Sequence, residues 1–570
     1  MRTIRVTHLL CCAAFATALD VQADQAALAD SVYLNGRIYT VDDQRSWVEA
    51  VAVKEGRFTT LGVNADIAPL IGPETKVVDL EGNMAMPSLY DLHIHPLEAG
   101  TKALFECGFS ATLTIDAILD RVKSCAEAKT DDGWIRGGSW GTELLETARV
   151  PDKTMLDTVA PDNPVFLMDS AHHNAWVNSK ALEVLQITNK TTDPEGGIIV
   201  RDAVSGDPTG LLMENAAYQV ANGLPPLTPA QYEEAIAYTI ADLNSFGITG
   251  IKDALASDHA MQAYHALAAR NELNANVATS LPWRFAWLPA EQMTAGIAGR
   301  TQYKSDRIHV DFIKIMLDGI PPSRTAVFVD PYTPNETHGD GFRGELHVPA
   351  EKLAQDLIRF DREGLTVKIH ATGDGSVRVA LDAIETARKA NGDSGLRHEI
   401  SHASYIHVDD YPRFKRLNAV AELSPAFWYP HPMVLAMGEV LGDARARRMF
   451  PIRSLKKAGA SLIYGSDYPV VYSANPWPGI ESMVTRRAPS GGSDDALWPE
   501  EAIDVETAVD ILTRNGARGL RLAKVTGSIE SGKSADLIVL DRNIFTVPPE
   551  QIGETKVLMT IFEGEPIYQQ

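Results

Sequence analysis

Five short segments carry side chains that could hold metal ions. The first is Asp91-Leu92-His93-Ile94-His95, which follows the apolar run Met84-Ala85-Met86-Pro87. Side chains alternate along a strand, so His93 and His95 share a face, and two imidazoles on one face can grip one edge of a metal ion. Two hydrogen-bonded histidines near a surface would read the same way. In the second segment, Asp311-Phe312-Ile313-Lys314-Ile315-Met316-Leu317-Asp318, a lysine stands among apolar strand residues. A buried lysine is costly unless paired or modified. Desolvation favours the neutral amine, which can add carbon dioxide; the resulting carbamate has two oxygens able to bridge two cations. The alternative is an ion pair between Lys314 and Asp318, which share a strand face. His370 ends the strand-like Val367-Lys368-Ile369-His370, and His402 closes Arg397-His398-Glu399-Ile400-Ser401-His402. In Ile463-Tyr464-Gly465-Ser466-Asp467, Asp467 follows a strand at a Gly-Ser turn, where a carboxylate can face a site or simply cap the turn. Imidazoles and carboxylates without thiolates suit zinc, and less often manganese, iron or cobalt.

These residues need a scaffold that gathers strand ends. The middle of the chain alternates helical and strand patterns: 349–363 helical then 365–370 extended, 376–390 helical then 399–402 extended, 451–458 helical then 460–464 extended, with a late helix over 507–518 stopped by Gly519. Repeated helix-to-strand units imply a parallel sheet, and over this length a closed (β/α)8 TIM barrel of the α/β class, whose sites lie at the C-terminal ends of its strands. Both ends of the chain read as short strands, over 32–80 and again at 536–540 and 560–562, and suggest one small β-sandwich built from both termini. Residues 130–230, rich in Gly, Pro and Asp, break the rhythm and read as an insertion over the barrel mouth. The expected order is a signal peptide over 1–23, sandwich over 24–88, barrel over 89–519 and sandwich again over 520–570.

Length and composition agree with a multi-unit globular chain: 570 residues, 45% hydrophobic and 22% charged. A net charge of −23 argues against a nucleic-acid partner, which needs a basic face. The N-terminus has the parts of an export signal: Arg2 and Arg5, an apolar stretch over 9–19 too short to span a bilayer, and Val21-Gln22-Ala23 as a small-x-small cleavage site. No later segment reads as a membrane span. Of the four cysteines, Cys107 and Cys125 would remain in an exported, periplasmic or secreted chain, either bonded or as two buried thiols.

The five segments, together with Gly133-Trp134-Ile135-Arg136-Gly137-Gly138-Ser139-Trp140, the stretch His173-Asn174-Ala175-Trp176 to Leu182, Ser323-Arg324-Thr325-Ala326 and the closing run Gly527 to Leu537, resemble the amidohydrolase superfamily. The branch they most resemble is family 3, which contains N-substituted formamide deformylase. The resemblance implies two divalent ions: one held by His93, His95 and Asp467, the other by His370 and His402, with carbamylated Lys314 bridging them. A hydroxide shared by the ions would attack an amide-like carbonyl, and Asp467 would take its proton and pass it to the leaving amine. Trp140, His173, Arg324 and Tyr468 lie in the resembling stretches and are candidates for the substrate pocket; Trp176 reads as core. The chain departs from the pattern at Met86-Pro87-Ser88-Leu89-Tyr90-Asp91, where a glycine and a smaller residue are usual, and at Ser401, where a glutamate is common. Lys368 shares a face with His370 and rivals Lys314; His398 has the same parity as His402 and rivals it. The implied partner is a small amide-like molecule; the sequence leaves open a cyclic amide or imide, an N-acyl amino acid or a carbamate as substrate, a catalytically idle binding or regulatory protein, and a homodimer.

Overall fold

A computed structural model describes residues 28–570 except 130–132, 171–172, 337, 431 and 492–494. The expected export signal lies outside the described residues. Eight parallel strands form the central sheet in simple sequence order: β1 (Leu89–Ile94), β2 (Ile248–Asp253), β3 (Asn276–Pro282), β4 (Ile308–Met316), β5 (Thr366–Ala371), β6 (Glu399–His402), β7 (Val420–Leu423) and β8 (Ser461–Tyr464). The sheet curls until β8 returns to β1, where the Asp467 N–H donates to His93 O at 2.7 Å. That approach needs Gly465, because a Cβ there would stand 2.4 Å from His93 Cβ. Helices such as Ala350–Arg362 and Asp374–Asn391 cover the outside, and their apolar faces make the main core with the outward residues of the strands.

The lumen is layered. Its floor is apolar, with Tyr90, Leu92, Ala278, Phe312, Val420 and Ile463 closed from below by Ala517 and Leu520. The predicted single helix over 507–518 is two, Val505–Leu512 and Arg514–Gly519, broken at Thr513, whose hydroxyl donates to Val509 O at 2.6 Å instead of the chain continuing straight. Above the floor sits a buried charged layer. Lys252 on β2 pairs with Glu399 on β6, and Lys368 on β5 pairs with both Glu399, at 3.0 Å, and Glu422 on β7. The two lysines and two carboxylates pair with one another while fully buried, and that burial lowers both amines, Lys252 to about 7. Removing one partner leaves a buried charge uncompensated, so Lys252→Ala should lower unfolding stability by about 3–5 kcal/mol, read from denaturant melts.

The terminal strands form two facing sheets. Strands within 31–79 make one of four strands, and Met84–Pro87 pairs with Leu537–Leu540 in another of six, so the sandwich draws on both ends of the chain. The insertion has its own six-stranded sheet, from Cys107–Gly108 to Pro208–Glu214. It begins ahead of the Gly- and Pro-rich segment because Cys107 and Gly108 pair in parallel with Gly137 and Gly138. Cys107 and Cys125 are disulfide-bonded, with Cα atoms 6.0 Å apart, tying this edge strand to the helix Ile115–Ala128.

Candidate active site

All six metal-site candidates gather at the C-terminal end of the barrel. His93 lies near the end of β1, and His95 just beyond it is the N-cap of the helix Pro96–Phe105. His93 Nε2 and His95 Nε2 stand 3.5 and 3.3 Å from Asp467 Oδ1. The donor atoms of this trio lie within 4.8 Å of one another, close enough to share one ion. Lys314 Nζ on β4 is 3.4 Å from His93 Nε2. The His402 ring lies 4.7 Å from that of His93 and 4.6 Å from that of His370, so the second pair of imidazoles adjoins the first.

Burial holds the imidazoles of His93, His370 and His402 well below the ordinary histidine range, with the Lys314 ammonium adding to the effect. They are neutral, as ligands must be. Their inner hydrogen bonds choose which nitrogen is free. His93 Nδ1 lies 2.5 Å from Glu422 Oε1 and can only donate there, which leaves the Nε2 lone pair facing Asp467 and Lys314. His370 Nε2 lies 3.2 Å from Gly319 O and donates to it, leaving Nδ1 as the lone-pair nitrogen. Imidazoles with oriented lone pairs, a carboxylate and a lysine amine converging in one space could hold divalent metal.

Lys314 differs from its rival. Lys368 is held between Glu399 and Glu422, whereas among the described residues no carboxylate forms an ion pair with Lys314. The alternative partner, Asp318, is taken up elsewhere: its carboxylate accepts from the N–H groups of Val327, Thr372 and Gly373 and from Ser376 Oγ. Burial, with the Lys368 ammonium nearby, brings the Lys314 amine down to about 7.

His398 and His402 also separate. Glu399 and Ser401 point into the lumen, so strict alternation would turn both histidines outward. His398 does face outward: its Nδ1 accepts the Val367 N–H at 3.0 Å and its Nε2 lies 3.1 Å from Asp361. His402 is turned back by a left-handed φ of +66°. Asp467 has φ +65°. Such backbone costs about 1–3 kcal/mol per residue and persists where the surroundings impose it. Here they do: Asp91 Oδ1 accepts from the N–H groups of His93 and Ser466, binding the β1 and β8 ends together.

Two residues of the site escape sequence reading. Asp91 was visible in the motif without a role, and burial raises its carboxyl to about 6. Glu422 carries the same signal as Lys314, a charge inside an apolar strand (Val420-Ala421-Glu422-Leu423), but nothing in the sequence names its partner.

The pocket candidates scatter. A cleft of about 620 Å³ lies between the insertion and the helix after β1, and is lined by Phe109, Phe166, Met168, Arg136, Tyr232 and Pro469 among others. Tyr468 adjoins it through Pro469, and its carbonyl accepts the His95 N–H at 2.9 Å. Arg324 lines a separate hollow of about 390 Å³ with His338 and His347, just beyond β4. His173 is half-exposed and paired with Glu214 at 3.0 Å. Trp140 does not line a pocket: it is fully buried in the insertion core, its indole N–H donating to Leu167 O at 2.9 Å, because the strand Ile135–Trp140 turns it inward rather than toward the barrel. Trp140→Phe should leave kcat and KM within about twofold while lowering stability by roughly 1–3 kcal/mol, the cost of an orphaned carbonyl. Trp176 is core, as expected.

The amidohydrolase family matches residues 76–568, which takes in the barrel, the insertion and the returning sandwich strands. The chain belongs to the amidohydrolase family. It is 29% identical to the putative amidohydrolase YtcJ of Bacillus subtilis, over 95% of this chain and 99% of that one. It is 28% identical to N-substituted formamide deformylase of Arthrobacter pascens, again over 95% and 99%. Among solved structures, an uncharacterized metal-dependent hydrolase of Pyrococcus horikoshii superposes with a TM-score of 0.73 at 25% identity, covering 91% of this chain and 99% of that one. The protein is thus a metal-dependent amidohydrolase, an enzyme acting on carbon–nitrogen bonds.

Proposed function

We propose that this amidohydrolase cleaves the C–N bond of an N-substituted formamide or related amide with two divalent ions, zinc by the chemistry of the donor set. His93, His95 and Asp467 would hold one ion and His370 and His402 the other, with Lys314, carbamylated, between them. Bound there, the ions would lower the pKa of a water and polarise the substrate carbonyl. The carrying observation is the convergence of four imidazoles, Asp467 and a buried lysine with no carboxylate ion pair among the described residues on one end of the barrel.

The protein's own groups do the rest. Asp467 lies beside both HxH imidazoles and would accept a proton from the attacking water and return it to the leaving nitrogen. The adjoining 620 Å³ cleft, with its apolar and charged lining, would seat the N-substituent. The similarity to N-substituted formamide deformylase supports this substrate class over a cyclic amide, an N-acyl amino acid or a carbamate. The Cys107–Cys125 bond suits an oxidising compartment and supports export.

A substrate panel with the zinc-loaded protein is the test. N-substituted formamides should be hydrolysed with the highest kcat/KM; preference for one of the other three classes would reassign the substrate, and a protein that binds no transition metal would favour an idle binding role.

A further inference from the structure

The charged layer inside the barrel meets the active site at one atom. Glu422 Oε1 lies 2.5 Å from His93 Nδ1, both side chains are buried, and the opposite oxygen, Oε2, is taken by the Lys368 ammonium and by Ser401 Oγ at 3.3 Å. Glu422 therefore links a structural ion-pair network on β2, β5 and β6 to the first histidine of the HxH pair.

We propose that Glu422 is a positioning residue for metal binding: it fixes the His93 ring and its Nδ1–H tautomer, and Lys368 fixes Glu422. The proposal rests on the metal-dependent reading above. An imidazole carries one proton when neutral, and the group facing Nδ1 decides where that proton stays. An ionised carboxylate only accepts, so Nδ1 must carry the proton and Nε2 must present its lone pair. A carboxylate behind a ligating histidine also raises the ring's basicity and holds its plane. The Lys368 ammonium and the Ser401 hydroxyl both hold Glu422 Oε2, which stops the carboxylate rotating away from His93. Glu399 belongs to the same network but touches Lys252 and Lys368 and no imidazole, so it marks what the network does without the positioning contact.

Glu422→Gln separates the two roles. A glutamine has one oxygen, and Lys368 would claim it, turning the amide NH2 toward His93 Nδ1. That donor would drive the ring proton to Nε2, the nitrogen that must face the ion. Zinc affinity, measured by chelator competition on the folded protein, should fall about 10–100-fold. Glu399→Gln should leave zinc affinity within about threefold while lowering the melting temperature of the metal-free protein. Should Glu422→Gln fail to fold, Glu422→Asp retains the charge for Lys368 but withdraws the carboxylate from His93 by one methylene, and should show the same loss of affinity. Wild-type zinc affinity in the Glu422 variants, or an equal loss in Glu399→Gln, would overturn the positioning role and leave the proposed function standing. Failure of the unmutated chain to bind zinc would instead strike the proposed function, and this inference with it.

Discussion

Asp467→Asn should abolish turnover while leaving the metal content nearly intact. The backbone at this position is held independently of the side chain: the Asp467 N–H donates to His93 O at 2.7 Å, and the neighbouring Ser466 N–H donates to Asp91. An asparagine therefore sits in the same place with the same volume and keeps one oxygen toward the trio formed with His93 and His95. What it cannot do is take up a proton. A positioned general acid–base group contributes on the order of 10²–10⁴ in rate, so kcat/KM should fall at least that far. The variant should hold its zinc, counted by elemental analysis on the same sample. Substantial residual activity would refute Asp467 as the proton carrier; loss of the metal together with activity would make it chiefly a ligand.

Lys314→Ala should lose at least about a hundredfold in activity, equivalent to about 3 kcal/mol of barrier, and short carboxylic acids such as acetate should restore part of it. The reason is the contrast between the two buried lysines. Lys368 is ion-paired with two carboxylates, while Lys314 has an imidazole neighbour and no ion-pair partner among the described residues. Only a neutral amine adds carbon dioxide. With the Lys314 amine brought down to about 7, it is charged below that pH and neutral above it, so reconstitution of metal-free protein with zinc and bicarbonate should succeed at alkaline pH and fail as pH falls through about 7. The truncated side chain leaves a space in which an exogenous carboxylate can stand in for the carbamate oxygens. Wild-type activity in Lys314→Ala would move the bridge to Lys368 or remove it.

The barrel and the ligand types could be read from the sequence because helix-to-strand alternation is regular and the barrel brings strand ends together whatever their spacing in the chain. What alternation could not supply was parity-independent information. Lys314 and Lys368 both read as inward lysines, and their partners, not their positions, separate them. His398 and His402 share a parity, and the chain resolves them by a left-handed turn at His402 that no periodicity announces. Glu422 stayed hidden because its role depends on a contact across the lumen to His93, 329 positions away in sequence. The insertion's start was missed because its first strand, Cys107–Gly108, is two residues long and is defined by its pairing with Gly137 and Gly138. Trp140, in a stretch that resembles the family, packs the insertion rather than facing a substrate.

Anomalous diffraction at the zinc absorption edge, on crystals grown with zinc and bicarbonate, tests the central claim most directly. Two peaks flanking Lys314, one beside His93, His95 and Asp467 and the other beside His370 and His402, with added density on Lys314 Nζ joining them, is the predicted result. Absence of any peak among these residues, or zinc bound only elsewhere on the chain, would contradict it.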